Sequence, residues 1–419
     1  MRLNKLSLSL VCTGLVAFAP GAFSAELAAG TVIDKSNIDK VKADTFEGKN
    51  IGGMIPEKME WQIKNHNLKL TLQKSTPLPI DAKTIEATKK YAADVKYDAA
   101  KNEVSGYKAG IPFPAIADND PNKAAKHMWN FYYASPVGQV MDFPKFEFLL
   151  IDGKQGLERT QRWSLYRYFH KNRTTGDAVP VDGDGKTFTR TLLFANYPQD
   201  IKGIGTFTIR HDSAQVEDQW VYIKSARRTR RLSGGAWMDP IGGTDQLNDD
   251  IEIWNARPSW YKKFNYIGKK HILAVSDAKV AWDDTKTDQA QRYPTIDLKN
   301  APHWNPVENY QPREVHVIEA IAPDEHPYSK KVIYLEASTP RIYYGEAYDK
   351  RGDFWKWFNN TSRALKGADG SDTIISSQGH TIDFKRNHAT IFVNHGTART
   401  NTNLRAKDVD LNRLEIVAQ

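Results

Sequence analysis

Four arginines lie within five positions, directly after a run of alternating aromatic and aliphatic residues. The stretch reads DQWVYIKSARRTRRLSGG and contains Arg227, Arg228, Arg230 and Arg231. Guanidinium groups this close repel one another unless anions lie between them, and they bind carboxylates and phosphates in a bidentate manner. The stretch could therefore bind a nucleic acid, bind an acidic headgroup, or pair with carboxylates of its own fold.

The alternation in this stretch predicts a β-hairpin. Trp220 and Tyr222 share one face of the first strand, and residues 224–226 would turn the chain into a second strand. In that second strand Arg228 and Arg230 lie on one face, and the other two arginines lie on the opposite face. Two charges on each face do not form a groove for a nucleic acid, so an acidic headgroup and internal ion pairs remain. The acidic residues that follow, and that could form such pairs, are Asp239, Asp245, Asp249, Asp250 and Glu252.

Aromatic residues are concentrated in and after the predicted hairpin. Residues 220–261 contain four tryptophans and two tyrosines, and the later segment GDFWKWF adds four more aromatic rings. Such residues form either a packed β core with polar edges or the wall of an apolar ligand cavity. The candidate ligand-binding residues are Trp220, Tyr222, Arg227, Arg228, Arg230, Arg231, Trp237 and Trp254.

Motifs for covalent chemistry are absent from the sequence, which has no GxSxG, Walker A, HExxH, CxxC or strand-anchored GxGxxG. His380, His388 and His395 approach a cluster, but their spacing is typical of exposed or singly bonded histidines. The acidic run of residues 238–250 lacks the spacing of a calcium loop and is typical of a turn with capping carboxylates. We therefore expect a protein that is not an enzyme, with no metal site and no cofactor.

The N-terminal residues have the pattern of a secretory signal peptide. Arg2 and Lys5 precede an apolar stretch from Leu6 to Ala19, and the small-residue site Ala22-Phe23-Ser24 follows. We predict cleavage after Ser24, which removes two basic residues and lowers the formal net charge from +8 to +6. The only cysteine, Cys12, leaves with the signal peptide. The mature protein would be soluble, located in the periplasm, and held together by its core without disulfides.

Strand patterns follow one another from about Lys145 to the C-terminal end. They are short, rich in aromatic and β-branched residues, and separated by Gly, Pro, Asn and Asp. No helix-length pattern alternates with them, which argues against a parallel doubly wound sheet and favours a large antiparallel sheet or open barrel. The connector Ser338-Thr339-Pro340 is short enough to join an antiparallel pair or to bend one strand. Helices are predicted earlier, near residues 36–45, 56–65, 82–95 and 122–134.

Several motifs in a fixed order resemble a known family. The series YPQDIKGIGTFTIRH, EDQWVYIKSARRTRRLSGG and GGTDQLNDDI resembles the core of periplasmic proteins similar to outer-membrane lipoprotein-sorting proteins. YKAGIPFPAI with DPNKAAKHMWN, and later VHVIEAIAPDEHPYSKKVIYLEASTPRIYYGEAYDKRGDFWKW, are similar to the domain of unknown function 1329. Together these motifs extend from about Leu72 to the end of the chain.

This resemblance implies a fold and a general role. The fold would be an incomplete antiparallel β-barrel wrapped over helices, as in the LolA and LolB lipoprotein carriers, whose concave side holds acyl chains. The strand with Trp220 and Tyr222 and the four arginines would belong to the signature of the family. Family members are associated with large efflux-type transporters, which implies an accessory role in the periplasm.

We therefore expect a mainly β (α+β) protein whose large antiparallel sheet forms an open, incomplete β-barrel with helices packed in or over it. Residues 1–24 would be the signal peptide, 25–110 a helical or irregular segment packing on the main domain, and 111–419 the open barrel. The expected function is binding, carriage or accessory transport of a lipid or other large apolar ligand, without covalent chemistry. Its partners would be that ligand and an envelope transporter or outer-membrane protein, and no nucleic acid. The alternatives are a periplasmic hydrolase that uses dispersed carboxylates and a structural scaffold of an envelope complex.

Overall fold

A computed structural model describes residues 24–174, 180–223 and 227–417. The predicted signal peptide up to residue 23 and the predicted turn at residues 224–226 lie outside these ranges. In the described part of the chain, no helix is long and apolar enough to cross a lipid bilayer. The α-helices are α1 Ile38–Val41, α2 Ile51–Met54, α3 Glu57–Asn65, α4 Ala82–Tyr91, α5 Lys123–Ala134, α6 Gln289–Arg292 and α7 Leu411–Val417.

Strands make up most of the regular structure. The first group is β1 Val32–Ile33, β2 Thr45–Phe46, β3 Lys49–Asn50, β4 Leu70–Leu72, β5 Lys96–Asp98, β6 Glu103–Ser105, β7 Val140–Asp152, β8 Gly156–Phe169, β9 Thr187–Tyr197, β10 Gly205–His211, β11 Asp218–Ile223 and β12 Arg228–Arg231. The second group is β13 Lys263–Ala274, β14 Ile296–Asp297, β15 Asn305–Pro306, β16 Asn309–Ile321, β17 Lys330–Glu336, β18 Ile342–Tyr348, β19 Phe354–Lys366, β20 Asp372–Asp383, β21 His388–Asn394 and β22 Arg399–Thr400.

One large sheet organises the molecule, in the order β1-β4-β16-β17-β18-β19-β20-β21-β7-β8-β9-β10-β11-β12. Two antiparallel meanders, β16 to β21 and β7 to β12, meet where β21 pairs with β7. The contact between β4 and β16 is parallel, and β13 adds a further antiparallel partner to β16. The sheet does not close on itself, which confirms the predicted open, mainly antiparallel architecture. The arginine-rich strand β12 is consequently an edge of the sheet.

The sequence located most of these elements correctly. Helices α3, α4 and α5 lie within the predicted ranges, and Asp81 begins α4 by accepting hydrogen bonds from the N–H groups of Lys83 and Thr84. The helix predicted near residues 36–45 is shorter than expected, because α1 ends at Val41 and the chain continues into β2. The connector at residues 338–340 joins β17 and β18, which form an antiparallel pair, the first of the two predicted alternatives.

The two faces of the sheet are covered by different parts of the chain. The face that we call the outer face packs against the N-terminal helices, residues 275–306 and α7. Ile63, Trp304 and Leu414 of these covering segments are buried. We call inner face the opposite one, which packs against α5 and residues 232–261. Apolar residues alternate between the two faces along β9, where Leu192 belongs to an outer cluster and Leu193 to an inner one. The core is therefore a set of layers on both sides of one sheet.

Candidate functional site

The inner face of β7 to β12 changes from apolar to hydroxylic to basic. Directly paired residues form one row across six strands, and a second row runs beside it. Adjacent strands are about 4.8 Å apart, so the first row spans roughly 24 Å. Its apolar end is buried, and its basic end is exposed at the sheet edge. The first row is Phe143, Leu165, Leu193, Thr206, Val221 and Arg230, and the second is Met141, Arg167, Thr191, Thr208 and Gln219.

Residues 232–261, which we call the cover segment, lie over this surface. Three small cavities of about 30 to 60 Å³ remain between the cover segment and the sheet. Arg167 lines all three. Its Nε donates to the hydroxyl of Thr191 at 3.0 Å, and burial lowers the pKa of its guanidinium to about 10, with Arg210 nearby contributing. The inner face thus carries a half-buried cation among aromatic side chains.

Glu252 places a carboxylate beside two of these cavities. Its backbone has φ 56°, a left-handed conformation that is uncommon outside glycine and costs about 1 kcal/mol or more. The carboxylate accepts a hydrogen bond of 2.6 Å from Nη1 of the fully buried Arg341 and one of 3.0 Å from the hydroxyl of Ser376. These bonds hold the strained turn in place, and they direct the side chain toward the strands of the sheet.

A buried charge network anchors the C-terminal half of the cover segment. Lys331 on β17 lies 2.9 Å from Asp249 and 2.7 Å from Asp250, and all three side chains are excluded from solvent. The hydroxyl of Tyr261 donates to Asp249, and that of Tyr328 donates to Asp250, each at 2.7 Å. Burial alone would raise the pKa of the Asp249 carboxyl, but the nearby Lys331 lowers it well below its usual range. The charges therefore compensate one another inside the core.

Asp245 provides a second anchor. Its carboxylate contacts Nδ1 of His388 at 2.5 Å and accepts from the hydroxyl of Thr390 at 2.9 Å. Arg386 lies 3.2 Å from the other carboxylate oxygen. By contrast, residues 232–244 form no ion pair within the described residues, and Gly242 and Gly243 both adopt positive φ. The cover segment thus has a part from residue 245 onward that is held by ion pairs, and a part before it that is held by packing of Trp237 and Ile241 without ion pairs.

Pairing of the acidic run with the arginine cluster, one of the two alternatives that the sequence left open, does not occur among the described residues. Asp245, Asp249 and Asp250 pair with side chains of β17 and β21, because the chain folds back under the sheet after the hairpin. Among the arginines, Arg231 contacts Asp218 and lies 5.8 Å from the ring of Trp220. The other three arginines form no ion pair with any described residue, and all four are exposed. Charged residues on an edge strand also oppose edge-to-edge association of sheets.

The structure separates the eight candidate residues into three places. Trp220 and Tyr222 pack on the outer face against Phe207, with Tyr222 buried beside Leu414 of α7. Trp237 and Trp254 are buried in an inner-face cluster with α5 and strands β16 to β19. Arg228 and Arg230 lie on the inner face, in register with Ile223 and Val221, and Arg231 lies opposite Trp220. The candidates therefore do not form one site.

The paired rows on the inner face were not identified as a site from sequence. The alternation along β8 and β9 separates Leu165 and Leu193 from the residues of the other face, and this signal was available. Pairing across strands was not available, because Phe143 and Arg230 are far apart along the chain.

The histidine group does not form a metal centre. His388 bonds to Asp245, and His395 bonds to Asp284 at 3.1 Å. His380 is buried, and burial lowers its pKa to about 3. No group of three or more His, Cys, Asp or Glu within the described ranges is placed to hold a metal ion.

These features define a class of protein: mainly β, with one open sheet whose inner face is amphipathic and covered by its own chain. The chain belongs to the DUF1329 family, proteins of unknown function, whose model matches residues 32–414. No curated protein matches it.

Solved structures similar to this chain share little sequence with it. A putative outer membrane lipoprotein-sorting protein domain from Vibrio parahaemolyticus is 16% identical, covering 70% of this chain and 99% of its own, with a TM-score of 0.48. A DUF1329 family protein from Desulfovibrio piger is 16% identical, covering 66% and 92%, with a TM-score of 0.43. The LolA superfamily protein NE2245 from Nitrosomonas europaea is 12% identical, covering 69% and 98%, with a TM-score of 0.41.

Proposed function

We propose that this protein is an exported carrier or accessory protein of the periplasm that binds an amphiphile. The ligand would be a lipid or another large apolar molecule with an acidic headgroup. One observation carries the proposal: the paired row on the inner face passes from Phe143, Leu165 and Leu193 to the exposed Arg230. An extended amphiphile has the same order of chemistry along its length.

The energetics of such binding follow from this order. Apolar surface removed from water contributes about 25 cal/mol per Å², so the apolar end of the row would supply most of the affinity. Arg228 and Arg230 would form charge-assisted hydrogen bonds with the acidic head, which add specificity. Thr191, Thr206 and Thr208 are half-buried and lie between the apolar end of the rows and the arginines. Their hydroxyl groups could bond to a glycerol-like or ester linkage of the ligand.

Binding requires the cover segment to move. Cavities of about 30 to 60 Å³ are too small for an acyl chain. We propose that residues 232–244 swing away from the sheet, which withdraws Ile241 from the cavity beside Phe143, Leu165 and Leu193, with the anchors at Asp245, Asp249 and Asp250 intact. Gly242 and Gly243 are suited to this movement, since glycine changes its backbone conformation at low steric cost.

Native mass spectrometry of protein purified from a periplasmic extract without detergent tests the proposal, together with organic extraction of the same sample. We expect a bound, acidic, apolar molecule of defined mass. Val221→Glu places an anion in the row beside Arg230 and should reduce the bound fraction at least tenfold. Ile267→Glu, at an exposed position of the distant strand β13, is the matched control and should keep the ligand.

Two other outcomes would replace the proposal. Uniformly ligand-free protein that co-purifies with an envelope protein would support a scaffold. A ligand that is recovered in cleaved form, with turnover lost on replacing a carboxylate, would support a hydrolase. Equal occupancy in the two glutamate variants would show that the ligand binds outside the inner face.

A further inference from the structure

A cavity larger than the three inner cavities lies away from the inner-face row, beside strands β13 and β16. It has a volume of about 370 Å³, within the range of small-molecule sites. Its walls are the extended residues 111–118, helix α5, strands β13 and β16, and the turn between β17 and β18. We call it the edge cleft. It shares no lining residue with the three inner cavities.

Flat rings line one side of the edge cleft. The imidazoles of His127 on α5 and His316 on β16 stack with centroids 3.7 Å apart and an interplanar angle of 27°. The hydroxyl of Tyr266 lies 2.9 Å from Nδ1 of His316. A neutral imidazole that accepts a hydrogen bond at Nδ1 carries its proton on Nε2, so His316 keeps an N–H donor. Phe113 adds a further aromatic ring to the lining of the cleft.

Both imidazoles are neutral at neutral pH. Burial, with the neighbouring His316 and Lys123, lowers the pKa of His127 to about 3. Burial and the nearby Lys269 also lower the pKa of His316. Stacking at 3.7 Å is compatible with this state, since two adjacent imidazolium ions would repel each other. The rings therefore act as flat surfaces with N–H donors.

Two ammonium groups add further donors. Nζ of Lys123 lies 4.1 Å from the ring centroid of Tyr266 and donates to the carbonyl of Asp118 at 2.7 Å. Lys269 also lines the cleft, and its Nζ is 3.2 Å from Glu314 at the surface. The carboxylates near the cleft compensate these charges weakly: Asp118 is fully exposed, 3.8 Å from Lys123.

Glu336, the other carboxylate that lines the cleft, is already paired with a cation of the protein. Glu336 accepts from Nε of Arg313 at 2.9 Å and from the hydroxyl of Ser338 at 2.9 Å, and it is buried. Its charge is therefore balanced within the wall. Donors consequently outnumber free acceptors among the side chains that face the cleft.

We propose that the edge cleft is a second binding site, for a small aromatic carboxylate. The ring of the ligand packs against the aromatic side chains of the cleft wall, and its carboxylate accepts hydrogen bonds from Lys123, Lys269 and an imidazole N–H. Donor-rich, ring-lined surfaces fit a flat anion because the ring buries apolar area and the carboxylate satisfies the donors. This site is independent of the proposed amphiphile row.

Calorimetric titration with 4-hydroxybenzoate as the probe tests the assignment. We expect saturable binding to the wild-type protein. The neutral 4-hydroxybenzyl alcohol should bind at least tenfold more weakly because it lacks the carboxylate, and acetate should bind at least tenfold more weakly because it lacks the ring. The double variant Lys123→Met with Lys269→Met should lose at least tenfold in affinity. Lys263→Met with Lys299→Met removes two exposed lysines elsewhere and should change nothing.

A measurement on the unaltered protein keeps the test decisive if the double variant does not fold. The ring ¹H–¹³C resonances of His127 and His316 should shift on titration with 4-hydroxybenzoate, and those of the buried His380 should not. Unchanged resonances at both cleft histidines, equal binding of the alcohol, or equal binding by the two double variants would each overturn the proposal.

Discussion

Lys331 and Asp249 form a buried ion pair, with 2.9 Å between Nζ and Oδ2 and no exposure of either side chain. Lys331 belongs to a central strand of the sheet, and Asp249 belongs to the cover segment that lies on it. Asp250 approaches the same ammonium group at 2.7 Å. The pair therefore fixes the position of the cover segment on the inner face.

Lys331→Met should destabilise the protein strongly. Removing the ammonium leaves two buried carboxylates without their cation, and breaking a buried pair in this way costs about 3–5 kcal/mol. Urea unfolding followed by tryptophan fluorescence measures the loss. The matched control is Lys330→Met, because Lys330 pairs with Glu319 at the surface and should cost less than about 1 kcal/mol. Equal costs for the two variants would contradict the assigned anchor.

Arg228→Gln with Arg230→Gln should weaken binding of an acidic amphiphile roughly tenfold and leave the fold intact. Both residues are exposed on the inner face and form no ion pair with a described residue. Arg227→Gln with Arg231→Gln removes the same charge from the same hairpin but away from the row, and should have less effect. Binding of each double variant to an acidic lipid supplied in vesicles, measured at low and at high salt, distinguishes the two variants. Loss of folding without a change in ligand preference would indicate a structural role.

His388→Gln should destabilise the protein mainly at low pH. The hydrogen bond to Asp245 raises the pKa of His388 despite its partial burial, so its stabilising contribution is complete below pH 6.5 and declines as pH rises through the raised pKa. We expect a cost of about 1–3 kcal/mol at pH 5 and a smaller cost at pH 9. Urea unfolding at pH 5, 7 and 9 measures it.

Thr390→Val is the control for this pH dependence. It removes a hydroxyl that bonds to the same carboxylate at 2.9 Å but carries no titrating proton. Its cost should be the same at the three pH values. A pH-independent cost for His388→Gln would show that the histidine stays neutral in the fold.

Cleavage after Ser24 should produce a mature chain that begins at Ala25. The backbone at that position is held in the fold, because its N–H donates to Asp44 at 2.9 Å and its carbonyl accepts from Thr45 at 2.8 Å. Intact mass and N-terminal sequencing of protein from a periplasmic extract test this. An unprocessed chain retained with the cells would contradict export.

The strands with regular alternation were predictable, and two long strands were not. β19 and β20 contain runs of polar residues that resemble loops, yet Asn360, Ser362, Ser376 and Gln378 are buried. Ser362, Ser376 and Gln378 are tolerated inside because tertiary partners satisfy them: Ser362 and Ser376 accept from Arg341, and Gln378 accepts from Thr295. No local pattern reveals such distant partners.

The sequence by itself determined the family, the open antiparallel architecture, the hairpin with its arginines on two faces, and the lack of catalytic motifs. These properties depend on local alternation and on the order of motifs along the chain. Only the tertiary structure decided which carboxylates meet which cations, and it paired the acidic run with Lys331 and His388 instead of with the arginines. It also brought His127 and His316 together in the edge cleft. The physical reason is that ion pairing and stacking act over a few ångströms in space, and sheet pairing brings together residues that lie far apart in the sequence.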